Sequence, residues 1–194
     1  MSAPELLVIR HGQSEWNRQG LWQGHADPPL SAEGLRQAES LVQTLATESI
    51  DRLEASDLRR ARQTAAPLAA ARGFAVRTDP LYRELDLGEW SGLTGTQIEE
   101  RGESILDVFQ AGSPTAAAPG GESRQQLWAR AREALVALCE RCPGERVAVV
   151  THGGFVYACF PDVDAANASV HRGPADELLE RLERGLGGVR SDAY

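Results

Sequence analysis

Apolar residues follow two different patterns along this chain. Leu6-Leu7-Val8-Ile9 and Val147-Ala148-Val149-Val150 are unbroken apolar runs rather than alternating ones. They are far shorter than the ~20 residues a membrane span needs, and an unbroken short run is what a strand covered on both faces requires. Such strands belong to parallel sheets, and parallel neighbours are joined through helical crossovers. The second pattern supplies those helices. Leu35, Ala38, Leu41 or Val42, and Leu45 recur at helical spacing behind Ser31, a side chain suited to capping a helix N-terminus. Arg52 to Ser56 reads as a second strand, Leu58 to Ala71 as a helix ended by Gly73, and Phe74 to Thr78 as a third strand. Leu127, Ala131, Leu135 and Leu138 mark a long amphipathic helix that leads back to the strand at 147–150.

Alternating strands and helices predict an α/β fold, a three-layer α/β/α sandwich with a mainly parallel sheet. The 194 residues, 42% of them hydrophobic, suffice for one core, so residues 1–194 are expected to form a single domain. Residues 93–123 are rich in Gly, Thr and Ala and end in Pro119-Gly120-Gly121-Glu122-Ser123. They read as an insertion over the sheet edge and the active site. No internal repeat or low-complexity linker interrupts the chain.

Charge and cysteines narrow the function. A net charge of −8 provides no global positive field to hold nucleic acid or an anionic membrane surface. Any anion must therefore be attracted locally. Three cysteines, an odd number, do not form a disulfide framework, and Cys139-x-x-Cys142 has no second pair to complete a zinc site. The start Met1-Ser2-Ala3-Pro4-Glu5 lacks the basic and apolar stretches of a secretory signal. A cytoplasmic protein is expected.

In such sheets ligands bind beyond the carboxyl ends of the strands. There the sequence places Arg10-His11-Gly12, Ser56 to Arg60, Arg83-Glu84 and Thr151-His152-Gly153-Gly154. Two arginines, two histidines and a glutamate converging on one edge suit a dianion such as phosphate. Arginine offers a planar fork of donors matched to phosphate oxygens, and helices starting after His152 and near Arg60 would add backbone N–H groups. Phosphoryl transfer asks mainly for positioning and charge stabilisation, so this set needs neither metal nor cofactor. A neutral histidine serves as nucleophile, and flanking positive charge favours that neutral form.

Several stretches carry a family pattern in order: Arg10-His11-Gly12-Gln13-Ser14-Glu15-Trp16-Asn17, Gln23 to Ser31, Ser56 to Ala65, Glu84 to Trp90, Pro119 to Ser123, and Thr151 to Gly154. Together they resemble the phosphoglycerate-mutase-like histidine phosphatases over about the first four-fifths of the chain. The resemblance implies that His11 is a phosphohistidine nucleophile and that Arg10, Arg60 and His152 bind and stabilise the phosphoryl group. It also implies that Glu84 donates and accepts the proton, and that Asn17, Gln23, Gly24 and Gly153 contact substrate. Asp86 and Glu89 are the nearest rivals to Glu84. His25 and His171 read as surface residues, while Trp16, Trp22 and Trp90 fit either the pocket mouth or the core.

Two departures stand out. Ser91 follows Trp90 where many relatives carry glutamate, and Pro161 arrives early, so the sheet is expected to be one strand short or closed differently. Asn167-Ala168-Ser169-Val170 is the candidate start of a closing strand, and Asp176 to Arg184 reads as an added charged helix. Between Leu93 and Ser123 the only cation is Arg101, against Glu99, Glu100, Glu103, Asp107 and Glu122. An acidic insertion favours a phosphatase acting on a small phosphorylated metabolite over a phosphoglycerate mutase. A non-catalytic phosphate-binding module is the third reading, and a homodimer stays open.

Overall fold

The structure, a computed structural model, describes residues 2–102 and 105–187. Its sheet has five strands in the order β3-β2-β4-β1-β5. The two unbroken apolar runs lie side by side at its centre. β1 (Glu5–Arg10) pairs in parallel with β4 (Arg146–Thr151), with Leu6 opposite Val147 and Ile9 opposite Val150. β2 (Arg52–Ala55) continues the parallel arrangement outside β4, and β3 (Arg77–Thr78) outside β2.

Side chains alternate across β1, and both faces are buried. Leu7 and Ile9 pack with Leu41, Leu45, Ala61, Ala65 and Leu68, from α2 (Ala32–Thr44), the residue beyond it and α3 (Arg59–Arg72). Leu6 and Val8 pack on the opposite face with Ala131, Leu135 and Leu138 of α6 (Arg124–Arg141) and with Phe155 and Val156 of α7 (Gly153–Cys159). Each buried aliphatic side chain contributes about 1.5–3 kcal/mol, so a central strand between two helical layers must be apolar at every position. The three-layer α/β/α sandwich follows.

Element ends obey local rules. The Ser31 side chain accepts the Gly34 amide at the start of α2, and Gly73 ends α3 in the left-handed conformation. A short helix, α1 (Glu15–Gln19), follows β1, started by a capping box between Ser14 and Asn17. Gly12 and Gly34 let the β1 loop meet α2. A Cβ on Gly12 would lie 2.6 Å from the Gly34 carbonyl oxygen, and one on Gly34 would lie 2.0 Å from that of Gln13.

The structure revises three expectations. The third strand is two residues long, because Phe74 donates its amide back to Ala69 at the helix end instead of entering the ladder. A short 3-10 turn, Pro80–Tyr82, then separates β3 from Glu84. The sheet is closed by β5 (Val170–Pro174), antiparallel to β1 and beginning at the Val170 named above; α8 (Ala175–Gly187) follows and packs Leu178 and Leu182 into the α6 and α7 layer. The 93–123 segment holds α4 (Gly95–Glu100) and α5 (Ile105–Gln110), and Ile98, Leu106, Phe109 and Leu127 form a separate small core with Trp90.

Candidate active site

At the carboxyl ends of β1 and β4 the chain turns sharply, and both turns carry histidines. The His11 amide donates to the Thr151 carbonyl (2.8 Å), which holds the two turns together. The His11 and His152 rings meet edge to face with centroids 5.0 Å apart. Nδ1 of His11 donates to its neighbour's carbonyl, that of Gly12, at 2.6 Å. With the proton fixed there, Nε2 keeps its lone pair. Burial and then Arg60 hold the His11 pKa well below the ordinary histidine value; the Gly12 bond opposes them, and Arg10 lowers the pKa by less. His11 is therefore a neutral, oriented imidazole at pH 7.

Arg60 lies in the first turn of α3 and is fully buried. It donates to the carbonyls of Ala26 (2.7 Å) and Gly24 (2.9 Å), and burial pushes its pKa down to about 10, which still leaves it a cation. Thr64 ties this helix to the loop after β1 by accepting the Gly12 amide and donating to the Arg60 carbonyl. Arg10 donates through Nη1 to the Ala165 carbonyl. His152 is fully buried, and burial, then Arg60 and His11, lower its pKa well below the ordinary value. Among the described residues, four buried side-chain polar atoms have no hydrogen-bond partner: Arg10 Nε, Arg60 Nε and both ring nitrogens of His152. All four belong to this cluster. Buried polar groups are otherwise almost always satisfied, and three of the four, both arginine Nε atoms and one nitrogen of the neutral His152, are donors, so this edge of the sheet suits a ligand rich in hydrogen-bond acceptors.

Glu84 sits in a loop held from behind. Its carbonyl accepts from His25 Nε2 (2.8 Å) and Arg130 Nη2 (3.1 Å), and Arg130 Nη1 reaches the carbonyls of Leu81 and Arg83 (2.8 and 2.9 Å). Glu122 grips Arg130 at 2.8 and 3.1 Å and joins the backbone of Asp86. The Glu84 carboxylate accepts the Leu85 and Gly154 amides on Oε1 (2.8 and 2.9 Å). A Cβ on Gly154 would lie 2.4 Å from that oxygen, so only glycine permits this bond in place. Gly153 lies between Glu84 and Arg10.

These side chains open on a cleft of about 790 Å³, lined at one end by Arg10, His11, Asn17, Gln23, Gly24, Glu84 and Gly153. Arg60 and His152 lie behind it. The sequence expectations thus meet at one place, with four refinements. Glu84 lines the cleft, whereas Asp86 is engaged with His25 and the Gly88 amide, and Glu89 is exposed. One amide at each helix start is already taken: Asp27 accepts that of Arg59 in α3, and Glu84 accepts that of Gly154 in α7. His25 is a loop anchor rather than a surface residue. Trp22 lines the cleft, Trp90 is fully buried, and Trp16 packs beside Gly92.

Two groups escaped the sequence reading. Arg130 sits in a helix whose charged positions all look solvated, and only its partners reveal it. Arg124 stands one residue beyond the 93–123 window in which cations were weighed, yet it lines the cleft. Among the described residues no group of three or more His, Cys, Asp or Glu side chains is placed to hold a metal ion, and no helix is long and apolar enough to cross a membrane.

Comparison with known proteins places the sequence and the fold. The chain is 35% identical over 159 residues to phosphoglycerate mutase-like protein 4 of Arabidopsis thaliana, covering 80% of this chain and 69% of that one. It is 35% identical over 166 residues to glucosyl-3-phosphoglycerate phosphatase of Mycobacterium tuberculosis, covering 81% and 74%. A solved structure of a mycobacterial glucosyl-3-phosphoglycerate phosphatase in complex with VO3 superimposes with a TM-score of 0.78 at 33% identity, covering 88% of this chain and 90% of that one. Residues 6–170 match the sequence profile of the histidine phosphatase superfamily, branch 1, and the chain belongs to that superfamily.

Proposed function

We propose that this chain is a phosphatase that hydrolyses small phosphomonoesters through a phosphohistidine at His11. The observation that carries the reading is a neutral, buried imidazole with one nitrogen fixed as donor, set beside arginine and histidine nitrogens that have no hydrogen-bond partner among the described residues. Nε2 attacks phosphorus as the ester P–O bond breaks, and Glu84 gives its proton to the departing alkoxide. Water then attacks the phosphohistidine, Glu84 takes up the proton, and inorganic phosphate leaves with His11 restored. Arg10, Arg60 and His152 stabilise the charge on the phosphoryl oxygens during both steps. Asn17, Gln23 and Gly24 shape the rim. The Asn17 oxygen accepts the Ser14 amide and the Gln23 oxygen accepts the Ser14 hydroxyl, so their contribution is mainly to hold the loop.

A mutase shares this chemistry but needs a bisphosphorylated intermediate, and Arg124 over the cleft is the observation that keeps that reading in view. The two separate in one experiment. Wild-type protein with EDTA and without bisphosphoglycerate should release phosphate from a generic phosphomonoester, and acid-labile phosphate should be trapped on His11 early in turnover. His11→Ala should lose at least about 10⁴-fold in kcat. Because the His11 pKa lies well below 6.5, activity should persist as pH falls through that value. Near wild-type turnover by His11→Ala would refute the assignment, and strict dependence on bisphosphoglycerate would favour the mutase.

A further inference from the structure

The reaction just described uses one end of the cleft and leaves its far wall unexplained. A volume of about 790 Å³ lies within the ~300–1,000 Å³ that houses drug-sized ligands, more than a phosphoryl group on a three-carbon chain occupies. The far wall is apolar, with the rings of Trp22, Phe109, Trp128 and Tyr157 set among Leu21, Leu85, Leu87 and Leu127. Trp22 and Phe109 face each other at 5.9 Å between centroids. Flat apolar surfaces of this kind gain little from a glycerate-sized polar body and much from a ring.

Arg124 interrupts that wall with charge. Its guanidinium lies 4.4 Å from the Phe109 ring centroid, and Nη1 donates to the carbonyls of Phe109 (2.7 Å) and Ser113 (3.3 Å). These contacts hold the group in place without neutralising it. Neighbouring arginines are neutralised: Arg83 by Asp57 at 2.5 Å, and Arg130 by Glu122 at 2.8 Å. Among the described residues no carboxylate lies within ion-pair distance of Arg124, although the chain carries 28 acidic residues against 20 basic ones. Partial burial lowers its pKa, as expected of a cation drawn from water with no counter-charge.

We infer that the far wall selects phosphomonoesters whose organic part is a flat, largely apolar body ending in an anionic group, and that Arg124 is the residue that reads the anion. The inference rests on the phosphatase reading above. Three esters of primary alcohols, which leave with similar difficulty, test it: 2-(4-carboxyphenyl)ethyl phosphate, 2-phenylethyl phosphate and 3-phosphoglycerate. Wild-type kcat/KM should be highest for the carboxylated aryl ester, at least about tenfold above 2-phenylethyl phosphate, as one charge-assisted contact in a partly buried site provides. It should be lowest for 3-phosphoglycerate. Arg124→Gln should bring the ratio of the two aryl esters close to one, through KM more than kcat, and Arg124→Lys should keep part of it.

The wild-type comparison stands even if a variant folds poorly. Equal kcat/KM for the two aryl esters, a ratio that survives Arg124→Gln, or preference for 3-phosphoglycerate over both would each overturn the inference while leaving the phosphatase reading intact. Failure to hydrolyse any of the three would overturn the phosphatase reading itself, and this inference with it.

Discussion

The two ends of the central sheet differ in how fully their arginines are satisfied. Where the parallel strands begin, Arg52 pairs with Glu145, Arg146 with Glu48, and Arg141 with Glu54, at 2.9 Å for the last, while Arg72 donates to the carbonyls of Leu45, Ala46 and Glu48. Where those strands end, Arg10 and Arg60 donate to backbone carbonyls and, among the described residues, keep an Nε without a hydrogen-bond partner. A carbonyl accepts the hydrogen bond without cancelling the charge. The first end is complete by itself, and the second is complete only when an anion arrives. That difference, rather than the number of cations, locates the site in a chain whose net charge would repel its substrate.

The comparison is sharpest at Arg60. Replacing it with alanine should reduce kcat by about 10³-fold, the scale at which fixed charge stabilises a transferring phosphoryl group. Stability should change by less than about 2 kcal/mol, because the loss of two hydrogen bonds and of the attraction to Glu84 and Asp27 is offset by removing a fully buried cation that has no direct ion pair among the described residues. Calorimetry beside single-turnover kinetics separates the two effects. A variant that unfolds with its activity loss would place Arg60 with the structural arginines.

Glu84 comes next. Glu84→Gln keeps the shape and loses the proton, so its defect should grow with leaving-group pKa, from small on nitrophenyl phosphate to ~10²–10⁴-fold on alkyl esters. Arg130→Gln should show the same dependence at about a tenth of the size, since Arg130 reaches Glu84 only through the backbone that carries it. Equal losses on both substrate types would mean that Glu84 merely shapes the cleft.

Much of this arrangement was legible in the residues. Burial on both faces left β1 and β4 no choice but unbroken apolar runs, and Ser31 and Gly73 announce their helix ends because capping is local chemistry. The motif residues at the strand ends come together because parallel strands deliver their carboxyl ends to one edge. What stayed illegible depends on partners that no periodic pattern encodes. The third strand shrinks because Phe74 finds a partner in Ala69, which no period-two pattern records. Arg130, Glu122 and His25 became a brace for Glu84 only through backbone carbonyls 46 and more positions away from Arg130 and a loop met from the other side. Arg124 was missed because a boundary drawn on composition ended at Ser123, whereas Phe109, against which it packs, lies inside that boundary.

At the opposite end, Arg141 provides the mirror-image expectation. Glu54 is almost fully buried and accepts from Arg141 at 2.9 and 3.0 Å and from the Tyr82 hydroxyl at 2.6 Å. Arg141→Ala leaves that carboxylate with the phenol alone, and removing one partner of a buried pair is strongly destabilising. Arg141 is itself partly exposed, so a loss of about 2 kcal/mol in denaturant unfolding is expected, with kcat on the folded fraction unchanged. A matching fall in kcat would show that the Tyr82 turn transmits strain to Glu84.

The smallest effect is expected at Arg52, and it tests whether the two ends are independent. Arg52 and Glu145 form their ion pair in solvent, where such pairs contribute little and are screened by salt. β1 spans six residues at about 3.3 Å each, so roughly 20 Å separate the two ends of the sheet. The Debye length at physiological salt is only about 8 Å. Arg52→Gln should therefore leave Tm and kcat/KM unchanged at physiological ionic strength, and lower kcat/KM no more than slightly near 10 mM salt, where the Debye length grows to about 30 Å. If kcat/KM instead fell severalfold at physiological salt, capture of the substrate anion would depend on the field of the whole molecule. Unpaired groups at one edge would then no longer suffice to explain the site.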